Sequence, residues 1–412
     1  MQAVRDPLWK HIFLPDALYE ATNTKDFLRL HGIKQLGPSY LVYPGATHTR
    51  AAHSFGVYEV ASRLIKNLIQ KGARNWVSRE GMQSFLAASL FHDLGHFPYT
   101  HSLKELPLLD HEVLTGEIIL KEPLRSIIGK TGANPEQVAA IVDTSKDCSD
   151  VETLFYRKLL SGVLDPDKLD YLNRDAFYCG VPYGIQDTEF VLAKLIPHKE
   201  RGIIIDSSAM LSCENVLFSK YLMYKAVYWH KNVRIATAMM KKTLYTALKE
   251  GILQAKELYS IDDQGLYSLL ESKTYFDELE CADAVQNKAF FKVLYECPYN
   301  ETYKLHRDLE DLEKREKIEK EIAQKIGCKA SQILIDIPER ISFESDLYIR
   351  DEKTSFSKSS TVFSEHTVER FTTSLRKIRL AVSPLFLSQK TDKETEKNIK
   401  LIEEFFFLDY NT

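Results

Sequence analysis

A chain of 412 residues, 44% hydrophobic and 27% charged, exceeds the ~250–300 residues at which a single core stops growing, so a large main domain with a smaller appendage is expected. The formal net charge of −4 excludes a chain-wide attraction to nucleic acid or to an anionic membrane, and an anionic ligand must be held by a local cluster. Six scattered cysteines without a CxxC pair, an N-terminus with no apolar signal core and no run near ~20 apolar residues point to a soluble, cytoplasmic protein with no membrane association.

In chain order, Val57, Val60, Ala61, Leu64, Ile65, Leu68 and Ile69 keep the spacing of one buried helical face, which predicts a helix from just after His53 to Gly72. The apolar run over residues 85–91 predicts a second helix leading into His92-Asp93-Leu94-Gly95-His96. Asn134-Pro135-Glu136-Gln137 supplies an N-cap, a first-turn proline and a capping-box glutamine for a short helix over 138–142. Asp165-Pro166 opens another in the same way. Its residues Leu169, Leu172 and Ala176 form a packing stripe, Asp167, Tyr171, Arg174, Asp175 and Tyr178 form a polar one, and Gly180 is placed for a left-handed cap.

Only residues 201–206 resemble a strand in this part, ahead of two long helices over 217–231 and 233–248. Near residue 300 the composition shifts. Residues 305–326 predict a helix whose Glu and Lys run is a solvated face; 333–337 and 347–349 predict short strands, 350–365 an exposed loop, and 393–407 a closing helix. The expectation is a mainly α fold: a helical bundle over residues 1–300, with its motifs within 35–230, and a small α+β appendage over 301–412, packed on the bundle and involved in oligomerisation.

Half of the twelve histidines, His48, His53, His92, His96, His101 and His111, fall between positions 48 and 111. A single buried histidine is usually a satisfied core residue, the reading for His11, His198, His306 and His366. The cluster differs. His53 opens one helix, His92-Asp93 closes the next, and Asp167 lies on the polar stripe of a third, so two imidazoles and two carboxylates can converge on one divalent metal from separate helices.

The stretches Tyr43-Pro-Gly-Ala-Thr-His-Thr-Arg-Ala-Ala-His-Ser-Phe-Gly-Val57, His92-Asp-Leu-Gly-His-Phe-Pro-Tyr-Thr-His101, His111-Glu112 and Asp165-Pro-Asp-Lys-Leu-Asp-Tyr-Leu-Asn-Arg-Asp175 carry the ordered signature of the HD-domain phosphohydrolases. Over residues 5–250 the chain resembles their deoxynucleoside triphosphate triphosphohydrolase (dNTPase) branch, here with no SAM domain ahead of the HD region. The resemblance implies an HD-domain helical bundle that hydrolyses dNTPs to deoxynucleoside and tripolyphosphate. It implies that His53, His92, Asp93 and Asp167 bind one divalent ion (Mn, Fe, Zn, Ni or Mg). His96, His101, His111 and Glu112 would surround the scissile phosphate as catalytic residues, and Gln35, Arg50, Lys168, Tyr171, Asp175, Lys220 and Tyr228 would contact substrate. It further implies a homo-oligomer, dimer or tetramer, with no nucleic-acid partner. The other readings of these residues are an HD phosphohydrolase acting on another nucleotide or phosphoester, and a non-catalytic metal-binding regulator.

The chain departs from the branch at several positions. Phe97 follows His96 where Gly is usual, which would narrow the pocket mouth. Lys104 stands where animal members carry a catalytic Asp, with Glu105 next to it as a substitute. Lys220 and Tyr224 replace an Arg and a His, and lysine is a point charge rather than a fork, so phosphate binding of lower geometric selectivity is expected. Tyr221, Tyr224, Tyr228 and Trp229 read either as a base-stacking segment or as core aromatics. Asn23 and His31 replace residues that hold an activating guanine nucleotide, so activation of that kind is not expected.

Overall fold

The computed structural model describes residues 1–341 and 347–407. It is mainly α, and the helices start where the chain supplies caps. The Arg50–Gln70 helix begins at Thr49, whose side chain accepts from the Ala52 N–H, and stops just before Gly72, which sits at φ 109°. Ser78 caps the Arg79–Phe91 helix, Asn134 the Pro135–Val142 helix and Asp165 the Pro166–Cys179 helix, each by accepting a first-turn N–H. Gly180 takes the expected left-handed conformation at φ 68°. With the His111–Ile119 and Val151–Leu160 helices, these elements enclose a core that includes Phe27, Phe85, Phe91, Phe155, Leu169 and Leu172. Each such side chain contributes about 1.5–3 kcal/mol by leaving water.

Four spans differ from the sequence expectation. The chain opens with an antiparallel hairpin of Gln2–Asp6 and Lys10–Leu14, whose second strand buries only Ile12 and Leu14. A strand this short and polar leaves little periodicity to read. The helix expected over 217–231 is instead Met210–Met223, a π-helical turn Tyr224–Tyr228, and a break at Trp229 and His230 before the Lys231–Lys249 helix. The span 305–326 divides into Lys304–Asp308 and Leu312–Ile326, and it is not wholly a solvated face, because Arg315 and Glu319 are buried. The expected exposed loop over 350–365 contains the strand Thr354–Ser355 and sends Phe356 and Phe363 into the main core.

A three-stranded antiparallel sheet forms from Lys292–Pro298, Lys377–Val382 and Ile333–Asp336, with Lys377–Val382 in the centre. Its alternation is apolar on both faces. Ile333, Ile335, Ile378, Leu380 and Val382 share a cluster with Ile322 and Ile326 of the Leu312–Ile326 helix and with Ile402 and Phe406 of the Asp392–Phe407 helix. Leu334 and Ala381 pack instead with Ile235, Ala236 and Met239 of the Lys231–Lys249 helix. A sheet covered on both sides reads as nearly continuous hydrophobic runs, as Ile333-Leu-Ile-Asp336 does. Arg234 of the Lys231–Lys249 helix reaches Asp336 Oδ1 at 2.6 Å across this contact. The sheet's first strand starts before residue 300, and Leu347 and Ile349 belong to the main core. Residues 342–346 and 408–412 of the expected appendage lie outside the described residues.

Candidate metal centre and its cleft

Three helix ends meet at the candidate metal site. His53 lies in the first turns of the Arg50–Gln70 helix, His92 and Asp93 follow the Arg79–Phe91 helix, and Asp167 sits in the first turn of Pro166–Cys179. His53 Nε2 is 2.9 Å from Asp167 Oδ1 and 4.0 Å from Asp93 Oδ2; His92 Nε2 is 3.3 Å from Asp93 Oδ1 and 3.8 Å from Asp167 Oδ1. The opposite ring nitrogens are occupied. His53 Nδ1 faces Asp170 Oδ2 at 2.8 Å, and His92 Nδ1 faces the Ser89 carbonyl at 2.9 Å.

That pairing leaves each Nε2 pointing inward, as in histidines oriented for a metal by an outer carboxylate or carbonyl. The buried His92 Nε2 has no hydrogen-bond partner among the described residues. The ligand atoms of His53, His92 and Asp93 all lie within 4.8 Å of one another. Imidazole and carboxylate donors so placed fit a divalent cation. Burial alone would lower the His53 imidazole, yet hydrogen bonds to Asp167 and Asp170 raise it to about 10, so the carboxylates draw positive charge to this point.

His96, His101 and His111 form a second group with ligand atoms within 4.8 Å of one another. His96 Nε2 lies 3.1 Å from His101 Nε2, and the His96 and His111 ring centroids are 4.0 Å apart. His101 and His111 line the cleft. His96 does not: it is fully buried behind them, with Nδ1 at 3.2 Å from Asp93 Oδ1. Burial, reinforced by the Arg50 charge, holds His96 well below the ordinary imidazole range, and burial likewise lowers His111. Both rings are therefore neutral near pH 7.

Glu112 lines the cleft, accepts from the Thr144 hydroxyl and has its carboxyl raised by burial. The carboxylate beside His111 is Asp110, with Oδ1 at 3.2 Å from Nδ1. Gly95 is what lets the two histidine groups close on each other, because a Cβ there would come within 2.1 Å of the His111 carbonyl and 2.6 Å of the Thr115 nitrogen.

The cleft holds about 610 Å3, within the ~300–1,000 Å3 typical of small-molecule sites. Gln35, Arg50, Lys168, Tyr171, Asp175, Lys220 and Tyr228 all line it, together with His53, His92, Asp93 and Asp167. Arg50 Nη1 donates to Asp93 Oδ2 at 2.7 Å, and Lys168 Nζ donates to Asp165 Oδ2 at 2.8 Å. The π-helical turn aims the Tyr228 hydroxyl at Asp175 Oδ2, 2.6 Å away, while His48 Nε2 lies 2.8 Å from Oδ1 of the same carboxylate.

Two of the departures noted in the sequence fall elsewhere. Phe97 is buried in an apolar cluster with Leu103 and Leu244, so it does not narrow the mouth. Glu105 is taken up by Lys241 at 2.5 Å and Arg315 at 2.8 Å, away from the cleft, so it does not replace the missing Asp; Lys104 does line the cleft. Several supporting residues gave no sequence signal as such. Arg29 donates to the Leu94 carbonyl at 2.6 Å and to the His96 carbonyl, gripping the loop between the two histidine groups. Asp170, one helical turn after Asp167, was detectable from that spacing.

Residues 187–376 match the HD associated region family. YwfO of Bacillus subtilis, an uncharacterized protein, is 37% identical over 246 residues, which are 59% of this chain and 55% of that protein. The deoxynucleoside triphosphate triphosphohydrolase SAMHD1 of Danio rerio is 25% identical over 344 residues, 72% of this chain and 55% of that enzyme. The crystal structure of a hypothetical protein from Aquifex aeolicus matches with a TM-score of 0.72 at 25% identity, covering 94% of this chain and 98% of that one. The chain spans about half the length of the curated relatives it matches. Among the described residues, no helix is long and apolar enough to cross a membrane.

Proposed function

From a chain related to the HD-domain phosphohydrolases, SAMHD1 among its homologues, we propose metal-dependent hydrolysis of deoxynucleoside triphosphates to deoxynucleoside and tripolyphosphate. The observation that carries this reading is one cleft that joins a His/Asp metal group, neutral histidines and several cationic side chains. His53, His92, Asp93 and Asp167 would hold the ion, with Mn, Fe, Zn, Ni and Mg all compatible with such donors. A divalent ion there supplies Lewis-acid polarisation of the phosphoryl group.

The chain's own residues account for the rest. Arg50, Lys168 and Lys220 supply donors to a ligand of about four negative charges. His101 and His111 stand on the cleft wall, where a neutral imidazole can take a proton from the attacking water and pass it toward the departing nucleoside 5′-oxygen. His96, behind them, fixes their orientation. Tyr171 and Tyr228 meet edge to face with centroids 6.5 Å apart, and Gln35 and Asp175 complete the wall proposed for the sugar. The protein would act as a cytoplasmic homo-oligomer, which light scattering at micromolar concentration checks.

Product analysis with the metal-loaded protein tests the reaction on dNTPs, NTPs, monophosphates and cyclic dinucleotides. Tripolyphosphate with free deoxynucleoside is the expected result. Orthophosphate would select a different phosphoester chemistry, and no turnover with any of the five metals would select a non-catalytic binding protein.

A further inference from the structure

The N-terminal hairpin reaches the metal group through a closed ring of hydrogen bonds. Asp6 Oδ1 accepts the backbone N–H groups of Leu8 at 2.9 Å and Trp9 at 2.8 Å, which shapes the turn between the two strands. The turn carries the Trp9 indole inward, where Nε1–H donates to Asp170 Oδ1 at 2.5 Å. Arg174 closes the ring: Nη1 donates to Asp6 Oδ2 at 2.8 Å, Nη2 to Asp170 Oδ1 at 2.9 Å and Nε to Asp170 Oδ2 at 2.8 Å. Asp170 and Arg174 are fully buried, and Asp6 nearly so.

Room for this ring is made by the helix that carries His53. Gly56 lies one turn after His53, and a Cβ at that position would come within 1.9 Å of Asp170 Oδ1 and 2.4 Å of Arg174 Nη2. Trp9 and Arg174 Nη2 together occupy Asp170 Oδ1, and His53 Nδ1 meets Oδ2 at 2.8 Å, beside Arg174 Nε on the same oxygen. A carboxylate held at both oxygens cannot rotate, and a fixed outer carboxylate sets both the tautomer and the plane of the histidine it binds.

We propose that Trp9 and Asp6 of the N-terminal turn are positioning residues of the metal centre, acting through Asp170 and Arg174 to hold His53 Nε2 toward the ion. The proposal rests on the metal reading of His53, His92, Asp93 and Asp167, and it is independent of which phosphoester is cleaved. It gives the hairpin a task that its own packing does not require, since the first strand, Gln2–Asp6, is largely exposed.

Metal-free protein titrated with Mn2+, with Co2+ absorption as a probe of ligand geometry, tests this. Trp9→Phe keeps an aromatic ring but removes the N–H. It should weaken Mn2+ binding about tenfold and change the Co2+ d–d bands, while Asp170→Asn should weaken binding by about 10–100-fold. Because Trp9 acts through Asp170, the double variant should bind no more weakly than Asp170→Asn alone. If Trp9→Phe lowers the melting temperature of the metal-free protein by more than a few degrees, Asp6→Asn, which keeps an acceptor for the turn but weakens the Arg174 anchor, should show the same loss of affinity.

Wild-type protein that binds Mn2+ while both hairpin variants bind it equally well would overturn the proposal and leave the metal reading standing. Additive losses in the double variant would also overturn it. Wild-type protein that binds neither Mn2+ nor Co2+ would remove the metal reading and the proposal together.

Discussion

Asp167 separates metal binding from folding better than its neighbours do, because its side chain is 37% exposed to the cleft whereas His53 and Asp93 are nearly sealed. Asp167→Ala should therefore abolish metal binding and turnover with little change in unfolding free energy, read by metal content beside a denaturation curve. His101→Ala should retain the metal and lower kcat by ~10²–10⁴, the usual worth of general acid–base help; loss of metal in that variant would make His101 a ligand or a support. The residues that touch the cleft were largely legible in the sequence, because His and Asp of this density are rare outside sites. The residues that aim them were less so. Trp9, Arg29 and His48 act from 161, 67 and 127 positions away from their partners, and no local pattern marks a contact that only the fold creates.

Elements were legible where capping chemistry is local and obscure where tertiary contacts override it. Asn134, Asp165 and Gly180 each did what their side chains or backbone freedom allow. The π-helical turn at Tyr224–Tyr228 has no Pro or Gly to announce it; it is stabilised by what it reaches, with Tyr228 bonded to Asp175. The Leu312–Ile326 helix hides a similar case, since its charge run looked solvated yet Arg315 turns inward to Glu105.

Burial would raise the Glu105 carboxyl, but Lys241 and Arg315 lower it from 4.5 to about 2. A lowered carboxyl contributes stability above its unfolded value, on the order of 3 kcal/mol here, and loses it as pH falls from about 4.5 through about 2. Glu105→Gln would leave two buried cations unpaired. It should cost about 3–5 kcal/mol near pH 7, and its difference from wild type should shrink steadily toward pH 2. Urea unfolding at several pH values checks both parts, and a pH-independent difference would contradict the assignment.

At the scale of the molecule, the cleft is completed by segments far apart in the chain. Gln35 precedes the first long helix, Lys220 comes just before the π-helical turn and Tyr228 ends it, and Glu339, Arg340 and Ile341 come from the segment after strand Ile333–Asp336. Composition suggested a bundle followed by a separate C-terminal part, and it could not show that strand Ile333–Asp336 packs on the Lys231–Lys249 helix, with residues 339–341 lining the cleft. Under the proposed function, this architecture would divide substrate recognition into charge and shape. The chain carries a net charge of −4, so under the proposed function attraction for a triphosphate would come from cations of the cleft such as Arg50, Lys168 and Lys220. Removing one such donor costs about 1.5–3 kcal/mol whatever the base, and Lys220→Ala should raise KM by roughly 10–150-fold for all dNTPs alike. Under the same proposal, discrimination against ribose would fall to the ring wall, where Tyr171 would pack near C2′ and leave no room for a hydroxyl. Tyr171→Ala should therefore narrow the gap between dNTP and NTP turnover while the KM for dNTPs changes less than in Lys220→Ala. Steady-state kinetics on matched dNTP and NTP pairs decides between these roles: a Lys220→Ala effect confined to one base, or a Tyr171→Ala enzyme with its sugar preference intact, would show that charge and shape are not divided in this way.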